Sequence, residues 1–443
     1  MDSQTIVAPM TPAGVSAVAA LRVSGSKVRD VVKSLFGERA AASLEPRRAN
    51  LGTARDPQTG KVIDSLLYLF FEGPNSYTGE DVLELYPHGN PLIVRDLLQA
   101  IRSIEGVRLA EPGEYTRRAF LNGKMDLTQA ESVADVIHSA NRAELENAHR
   151  LLSGALSKKI ATLAAQVKDI SARLELDVDF AEEEADPDFA GWESRFVSVR
   201  GSIQKILESF HGKASLSRLP LAVLYGAPNA GKSSLVNALL GEDRVLVSNV
   251  PGTTRDFVEV RLFLPSGEVR LVDTAGIADR ATDELDALSM KKSKEILEEA
   301  DLKILVVDGA HVSASDSSLK PDVVVYSKSD LRAASCPSES GALHVSSKTG
   351  DGLAELKNIM NAALFKENAN AEDLWITSER EKACLEDALA GVDRVLDLLK
   401  NNPAVELLAF EMQLVRRALQ SITGEISSED ILQSIFAGFC IGK

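Results

Sequence analysis

Two rhythms of apolar residues divide this chain. In its middle third they come in short unbroken runs, LAVLY from Leu221, ILVV from Ile304 and VVVY from Val323. Runs of that length without polar alternation predict strands buried on both faces, as in a parallel sheet covered by helices. On either side the rhythm is helical. Leu145, Ala148, Leu152 and Leu156 recur at helical steps before these runs, and Leu385, Leu389, Val392, Leu396 and Leu399 do so after them. The two stretches predict one helical bundle with the central unit inserted between consecutive helices. Residues 1–120 differ again. TIVAPM, SAVAALRVSG and VIDSLLYLFFEG are strand-like runs broken by glycine and proline, with a helix at Leu92–Arg102, and together they predict a compact α+β domain.

Composition narrows the class. A chain of 443 residues exceeds what one core usually supports, and 44% hydrophobic with 26% charged content is that of an ordinary globular protein. Three scattered cysteines, without CxxC or a His/Cys cluster, argue against a disulfide framework or a zinc site and fit a reducing cytoplasm. The N-terminus lacks signal-peptide character, and no apolar stretch nears the roughly 20 residues of a membrane span. A net charge of −16 argues against a broad nucleic-acid surface, though not against a local patch. The C-terminal Cys440-Ile441-Gly442-Lys443 has a cysteine at the prenylation position, but Gly442 and Lys443 do not suit that signal.

The chemistry is densest in the middle. After LAVLY come Gly226-x-x-x-x-Gly231-Lys232-Ser233 and a helix-periodic run, the strand–loop–helix setting of a phosphate-binding loop. In such a loop the backbone of Asn229, Ala230, Gly231, Lys232, Ser233 and Ser234 curls around phosphates at a helix N-terminus. Lys232 would reach the β- and γ-phosphates, and Ser233 would hold magnesium. Pro251-Gly252-Thr253-Thr254-Arg255-Asp256 supplies hydroxyls for a nucleotide-sensing loop, and Asp273-Thr274-Ala275-Gly276 ends a strand with a magnesium-supporting carboxylate. In Ser327-Lys328-Ser329-Asp330 the last carboxylate can accept the N1–H and N2–H of guanine, and Ser346-Ser347-Lys348 offers backbone to its carbonyl. Their order predicts a Ras-like P-loop GTPase domain binding GTP. Two departures stand out: Ser327 occupies the usual asparagine position, and Ile277 stands where a water-orienting glutamine is common. Asn229 is either a potassium ligand beside the phosphates or a turn former. The acidic run Asp177–Glu184 reads as a solvated helix end.

The whole chain resembles the tRNA modification GTPase family MnmE, also called TrmE. The likeness rests on TIVA, SYTGEDVLEL, PGEYTRRAFLNGKMDLTQAE, DVDFAEEE, GAPNAGKSSLVNAL, PGTTRD, DTAG and the closing FCIGK. It implies a multidomain α/β protein: an N-terminal α+β folate-binding and dimerising domain at 1–120, a helical bundle domain in halves 121–217 and 369–443, and the inserted GTPase domain at 218–368. It implies a homodimer that joins a FAD- and NADH-dependent partner, MnmG, in a heterotetramer acting on the wobble uridine of certain tRNAs. The group installed at carbon 5 is aminomethyl or carboxymethylaminomethyl, with a 5-formyl- or 5,10-methylene-tetrahydrofolate derivative as one-carbon compound. Arg22, Glu84, Lys124 and Lys443 match folate-site positions, so the tail is expected in that pocket. Asn229, Ser248, Val250 and Thr253 match potassium positions, Ser233 and Thr254 magnesium positions, and Asn249 lies in the same nucleotide-contacting loop. Potassium would let two GTPase domains meet and activate hydrolysis.

Some positions depart from the family pattern. His88-Gly89-Asn90 replaces a run with two glycines, and Thr11-Pro12-Ala13-Gly14-Val15-Ser16-Ala17 is poorer in glycine than its counterpart. The water-orienting carboxylate falls on Asp286, with Glu284 as rival. Cys440 is either a nucleophile or a small apolar side chain buried in the core. Without the N-terminal residues, the chain would read as a ribosome-assembly type GTPase switch with no covalent chemistry.

Overall fold

The structure, a computed structural model, describes residues 4–179, 189–211, 219–241, 258–273, 295–309, 320–331, 343–365, 374–400 and 405–442. They fall into two compact units. One holds Met1–Ile137, Ala148–Phe210 and Leu374–Lys443, and the other holds His138–Asn147 and His211–Asp373. No helix among the described residues is long and apolar enough to cross a membrane.

The first unit opens with eight strands: β1 Thr5–Pro9, β2 Ser16–Val18, β3 Leu21–Ser24, β4 Ala49–Arg55, β5 Val62–Phe71, β6 Val82–Tyr86, β7 His88–Gly89 and β8 Val107–Leu109. Six form a sheet in the order β4-β5-β6-β3-β1-β8, and β2 pairs with β7 in a separate ribbon. Side-chain alternation sorts the sheet's two faces. Val7, Leu21, Val23, Leu66, Tyr68, Phe70, Leu83 and Leu85 pack with the helices Val28–Phe36 and Pro91–Arg102. Ile6 and Ala8 turn the other way, onto Tyr115 and Tyr77. The helix expected at Leu92 begins at Pro91, because Asn90 caps it: its side-chain oxygen accepts the Leu92 N–H at 2.9 Å. The departure from glycine at Asn90 thus has a local function.

The stretch PGEYTRRAFLNGK contains the helix Glu114–Leu121 with Glu114, Tyr115, Thr116, Arg118 and Ala119 buried. Burial of its charged residues is compensated. Glu114 accepts Arg108 at 2.7 Å and Arg118 at 2.8 Å, and Arg118 also reaches Glu80 at 3.0 Å.

The two helical stretches meet in one core. Helices Ala155–Asp179, Phe189–Glu208, Glu379–Leu399 and Val405–Thr423 contribute Leu156, Ile160, Val167, Phe196, Ile203, Leu385, Val392, Met412 and Leu419 to it. The stripe beginning at Leu145 spans two helices instead of one. Gly154, at φ 83°, ends Arg142–Leu152 before Ala155–Asp179 begins, and Leu145 itself is exposed. The acidic run is helical through Asp179, and residues 180–184 lie outside the described residues.

In the second unit β9 Leu221–Tyr225, β10 Val258–Leu264, β11 Gly267–Asp273, β12 Leu302–Asp308, β13 Val323–Ser327 and β14 Leu343–His344 form a sheet in the order β10-β11-β9-β12-β13-β14. Only the β10–β11 pair is antiparallel. The segment His138–Asn147, which sequence reading assigned to the helical part, belongs to this unit. Its backbone grips the β10–β11 turn: the Arg142 N–H donates to the Ser266 carbonyl at 2.7 Å and the Glu268 N–H to the Ala140 carbonyl at 3.1 Å. Gly267 fits there because an added Cβ would lie 2.8 Å from the Asn141 Cβ.

Candidate functional site

The phosphate loop leaves the central strand β9 and ends on the helix Lys232–Leu240. Ligands of open parallel sheets bind at such strand ends. Asn229 at φ 62° and Gly231 at φ 91° take the left-handed conformations that wrap the loop's amides around a central point. Lys232 is 4% exposed, and its Nζ donates to the Gly226 and Ala227 carbonyls, each at 2.8 Å. The amine is thereby held at the loop, where phosphate oxygens compete with those carbonyls. Ala230 is buried beneath the loop, whereas Ser233 and Ser234 are exposed on the helix's first turn.

Ser233 Oγ donates to Asp273 Oδ2 at 2.5 Å. These residues are 40 positions apart, and their meeting supplies the oxygen pair that suits magnesium beside the phosphates. Asn229 is exposed, and its φ of 62° is that of a turn former.

At the base-reading end, Ser346 is fully buried and its hydroxyl donates to Asp330 Oδ1 at 2.8 Å, orienting that carboxylate. Ser347 and Lys348 turn over Ser346, with the Lys348 N–H 3.3 Å from the Ser346 hydroxyl oxygen. Lys328 Nζ donates to the Asn229 carbonyl at 3.0 Å and to Asp308 at 2.8 Å. Ser327 Oγ donates to the Ala230 carbonyl at 2.6 Å. Asp308 was not singled out in the sequence, where its only signal is its place at the end of the run ILVVD. Ser248, Asn249, Val250, Pro251, Gly252, Thr253, Thr254, Thr274, Ala275, Gly276, Glu284 and Asp286 lie outside the described residues.

A second polar cluster lies in the first unit. Arg22 and Glu84 face each other across β3 and β6, with Arg22 Nη2 2.8 Å from Glu84 Oε1. The guanidinium carbon stands 4.9 Å from the Tyr77 ring centre and 5.7 Å from that of Tyr115. Tyr86 donates its hydroxyl to Glu84 at 2.5 Å, and burial together with that contact pushes the phenol up to about 12. Arg22 Nη1 is buried without a hydrogen-bond partner among the described residues, a donor whose desolvation a ligand oxygen would offset. Tyr77 and Tyr115 lie in SYTGEDVLEL and PGEYTRRAFLNGKMDLTQAE, two of the stretches that carry the family resemblance. Lys124 is exposed and donates to the Pro74 carbonyl at 2.8 Å; no described contact joins it to the Arg22–Glu84 pair.

The C-terminal segment returns to the same sheet. Phe436 and Phe439 pack with Leu127, Ala130 and Leu432. Gly442, buried at φ 99°, lies against the Pro9 carbonyl at the end of β1, beside the strand that carries Arg22. Lys443 lies outside the described residues. Cys440 is exposed, which corrects the expectation of a buried apolar thiol: the seat uses positions 436, 439 and 442, so 440 points outward.

Comparison with known proteins agrees with this architecture over the full length. The family descriptions "GTP-binding protein TrmE N-terminus" and "MnmE helical domain" match residues 5–124 and 127–440. A tRNA modification GTPase MnmE from Methylobacterium radiotolerans is 38% identical over 448 residues, covering 100% of both chains. One from Syntrophus aciditrophicus is 37% identical over 460 residues, again covering 100% of both. The G domain of the T. maritima FeoB iron transporter is 24% identical and covers 33% of this chain and 99% of that one, with a TM-score of 0.23, too low to carry an argument. With a phosphate loop and relatives that align from end to end, this chain belongs to the tRNA modification GTPase MnmE family.

Proposed function

We propose that this chain is a potassium-activated GTPase that works as a homodimer with a flavoprotein partner, MnmG, to add an aminomethyl or carboxymethylaminomethyl group to carbon 5 of the wobble uridine in certain tRNAs. In this reading GTP hydrolysis in the second unit governs chemistry at the Arg22–Glu84 cluster of the first. The observation that carries it is this cluster, distant in sequence from the nucleotide loop. It combines a buried, unpartnered guanidinium nitrogen, a neighbouring carboxylate and two tyrosine rings. That set suits a flat heterocycle with an amide edge and an acidic tail, as in a reduced folate.

The chain's residues then divide the work. Lys232 binds the β- and γ-phosphates, and Ser233 and Asp273 hold the magnesium that offsets their charge. Asn229, with Ser248, Val250 and Thr253, holds potassium, which adds positive charge near the transferring phosphoryl group. Asp286, or Glu284, orients the attacking water. Arg22, Glu84, Lys124 and Lys443 orient the folate, which supplies the one-carbon unit when bound. Cys440, exposed beside the tail's seat, is kept as a nucleophile candidate.

The test is a reconstitution. This chain, the flavoprotein partner with FAD and NADH, unmodified tRNA, GTP, magnesium, potassium, methylene-tetrahydrofolate and ammonium or glycine are combined, and the wobble nucleoside is measured by mass spectrometry. The expected product appears only with both proteins present. Unmodified uridine despite GTP turnover would reduce the chain to a switch without covalent chemistry. Product formed without the partner would make it a stand-alone transferase.

A further inference from the structure

We infer that Ser327 serves the phosphate loop instead of the base, and that this chain reads guanine on one edge, leaving N7 without a side-chain donor. The inference rests on the guanine-nucleotide reading of this site.

Guanine presents two kinds of edge. N1–H and N2–H donate, whereas N7 and O6 accept. Asp330, oriented by Ser346, meets the donating edge. A side chain reading N7 must bring a hydrogen, and position 327 opens the motif that contains Asp330. Ser327 ends β13 and is 2% exposed. Its hydroxyl oxygen lies 2.6 Å from the Ala230 carbonyl and 3.2 Å from that of Val307, two acceptors for a single hydrogen. The shorter contact takes that hydrogen into the phosphate loop. The Ser327 carbonyl is also occupied, accepting the Gly309 N–H at 3.0 Å.

The neighbouring residue acts in the same way. Lys328 Nζ donates to the Asn229 carbonyl, so two consecutive residues of the base loop hold two consecutive carbonyls of the phosphate loop. An asparagine at 327 would carry two amide hydrogens, enough to hold the Ala230 carbonyl and still donate to N7. Serine can do only the first. Ser327 is therefore a positioning residue for the phosphates, and base selectivity falls to the Asp330 edge.

The experiment measures displacement of a fluorescent GDP analogue by GTP, 7-deaza-GTP and ITP. For the natural chain, 7-deaza-GTP should bind within about twofold of GTP, while ITP, lacking the N2 amine, should bind about tenfold more weakly. Ser327→Asn should create a preference for GTP over 7-deaza-GTP of about fivefold or more, a change that a purely structural role would not produce. Ser327→Ala should weaken GTP, GDP and 7-deaza-GTP alike. Rejection of 7-deaza-GTP by the natural chain by about tenfold would overturn the inference, a result that needs no variant to fold. Unchanged binding by Ser327→Ala would overturn the positioning role. Failure to bind any guanine nucleotide would overturn the underlying site reading itself.

Discussion

Replacing Gly442 by alanine tests whether the tail's seat serves the first unit's polar cluster. An added Cβ would overlap the Pro9 carbonyl oxygen and come within 3.2 Å of Met10 Cα, both backbone atoms. Pro9 cannot easily give way, since it is paired with Leu21 in the sheet and the Met10 N–H donates to the Ala20 carbonyl at 2.7 Å. The φ of 99° adds a further penalty of ~1–2 kcal/mol for an L side chain. The tail, and not the paired β1 backbone, is the part expected to move. Phe436 and Phe439 remain packed, so the unfolding midpoint should hardly change. If the tail closes the folate site, binding of 5-formyl-tetrahydrofolate loses what its lysine contributes, ~1–3 kcal/mol for a charged contact. That loss corresponds to roughly 5- to 150-fold in affinity. Titration calorimetry of the natural chain, Gly442→Ala, a chain lacking Lys443 and the combined variant provides the readout. Both single changes should weaken binding equally, and the combination should add nothing. Folate affinity left intact in Gly442→Ala would refute the reasoning.

Other expectations follow from the same geometry. Asn229→Ala should abolish the stimulation of GTP hydrolysis by potassium over sodium, measured as phosphate release; equal stimulation would remove Asn229 from the cation site. Asp330→Asn should shift preference from GTP toward xanthosine triphosphate, because the amide donates to the carbonyl that replaces the guanine amine; competition binding reads this. Burial alone would raise the Glu114 carboxyl, but Arg108, the Glu111 N–H and Arg118 together hold it below its ordinary 4.5. Its stabilising contribution is complete above that value and disappears as pH falls through the depressed one, so Glu114→Gln should flatten the acid limb of stability against pH. Glu131→Ala should cost about 3 kcal/mol in denaturant unfolding. It strips both carboxylate contacts from Arg380, at 2.9 and 3.1 Å, and leaves that partly buried guanidinium bonded to the Ser421 and Ile422 carbonyls.

Much of this architecture is legible in the sequence, for identifiable reasons. The runs from Leu221, Ile304 and Val323 are readable because strands covered on both faces tolerate little but apolar residues. The phosphate loop is readable because its backbone needs Gly231 and its chemistry needs Lys232. The helix Glu114–Leu121 is hidden because its buried positions carry charges: Arg108, outside the helix, neutralises Glu114, and Glu80, 38 residues before Arg118, leaves no local pattern. Ser327 looks like a weakened base contact until the Ala230 carbonyl is found beside it. The allegiance of His138–Asn147 is invisible for another reason: backbone groups make its bonds, and these select for no side-chain type except glycine at 267.

That short segment has a consequence for anyone dividing the gene. An excised piece covering 211–373 would carry every nucleotide-reading motif and still lack one border of its own sheet. The turn at Ser266 and Gly267 would lose the partners of the Ser266 carbonyl and the Glu268 N–H, which ten residues from far upstream normally supply. During synthesis those ten residues emerge more than a hundred positions before the turn they complete. The Arg142 N–H and the Ala140 carbonyl must wait for their partners until the ribosome delivers it.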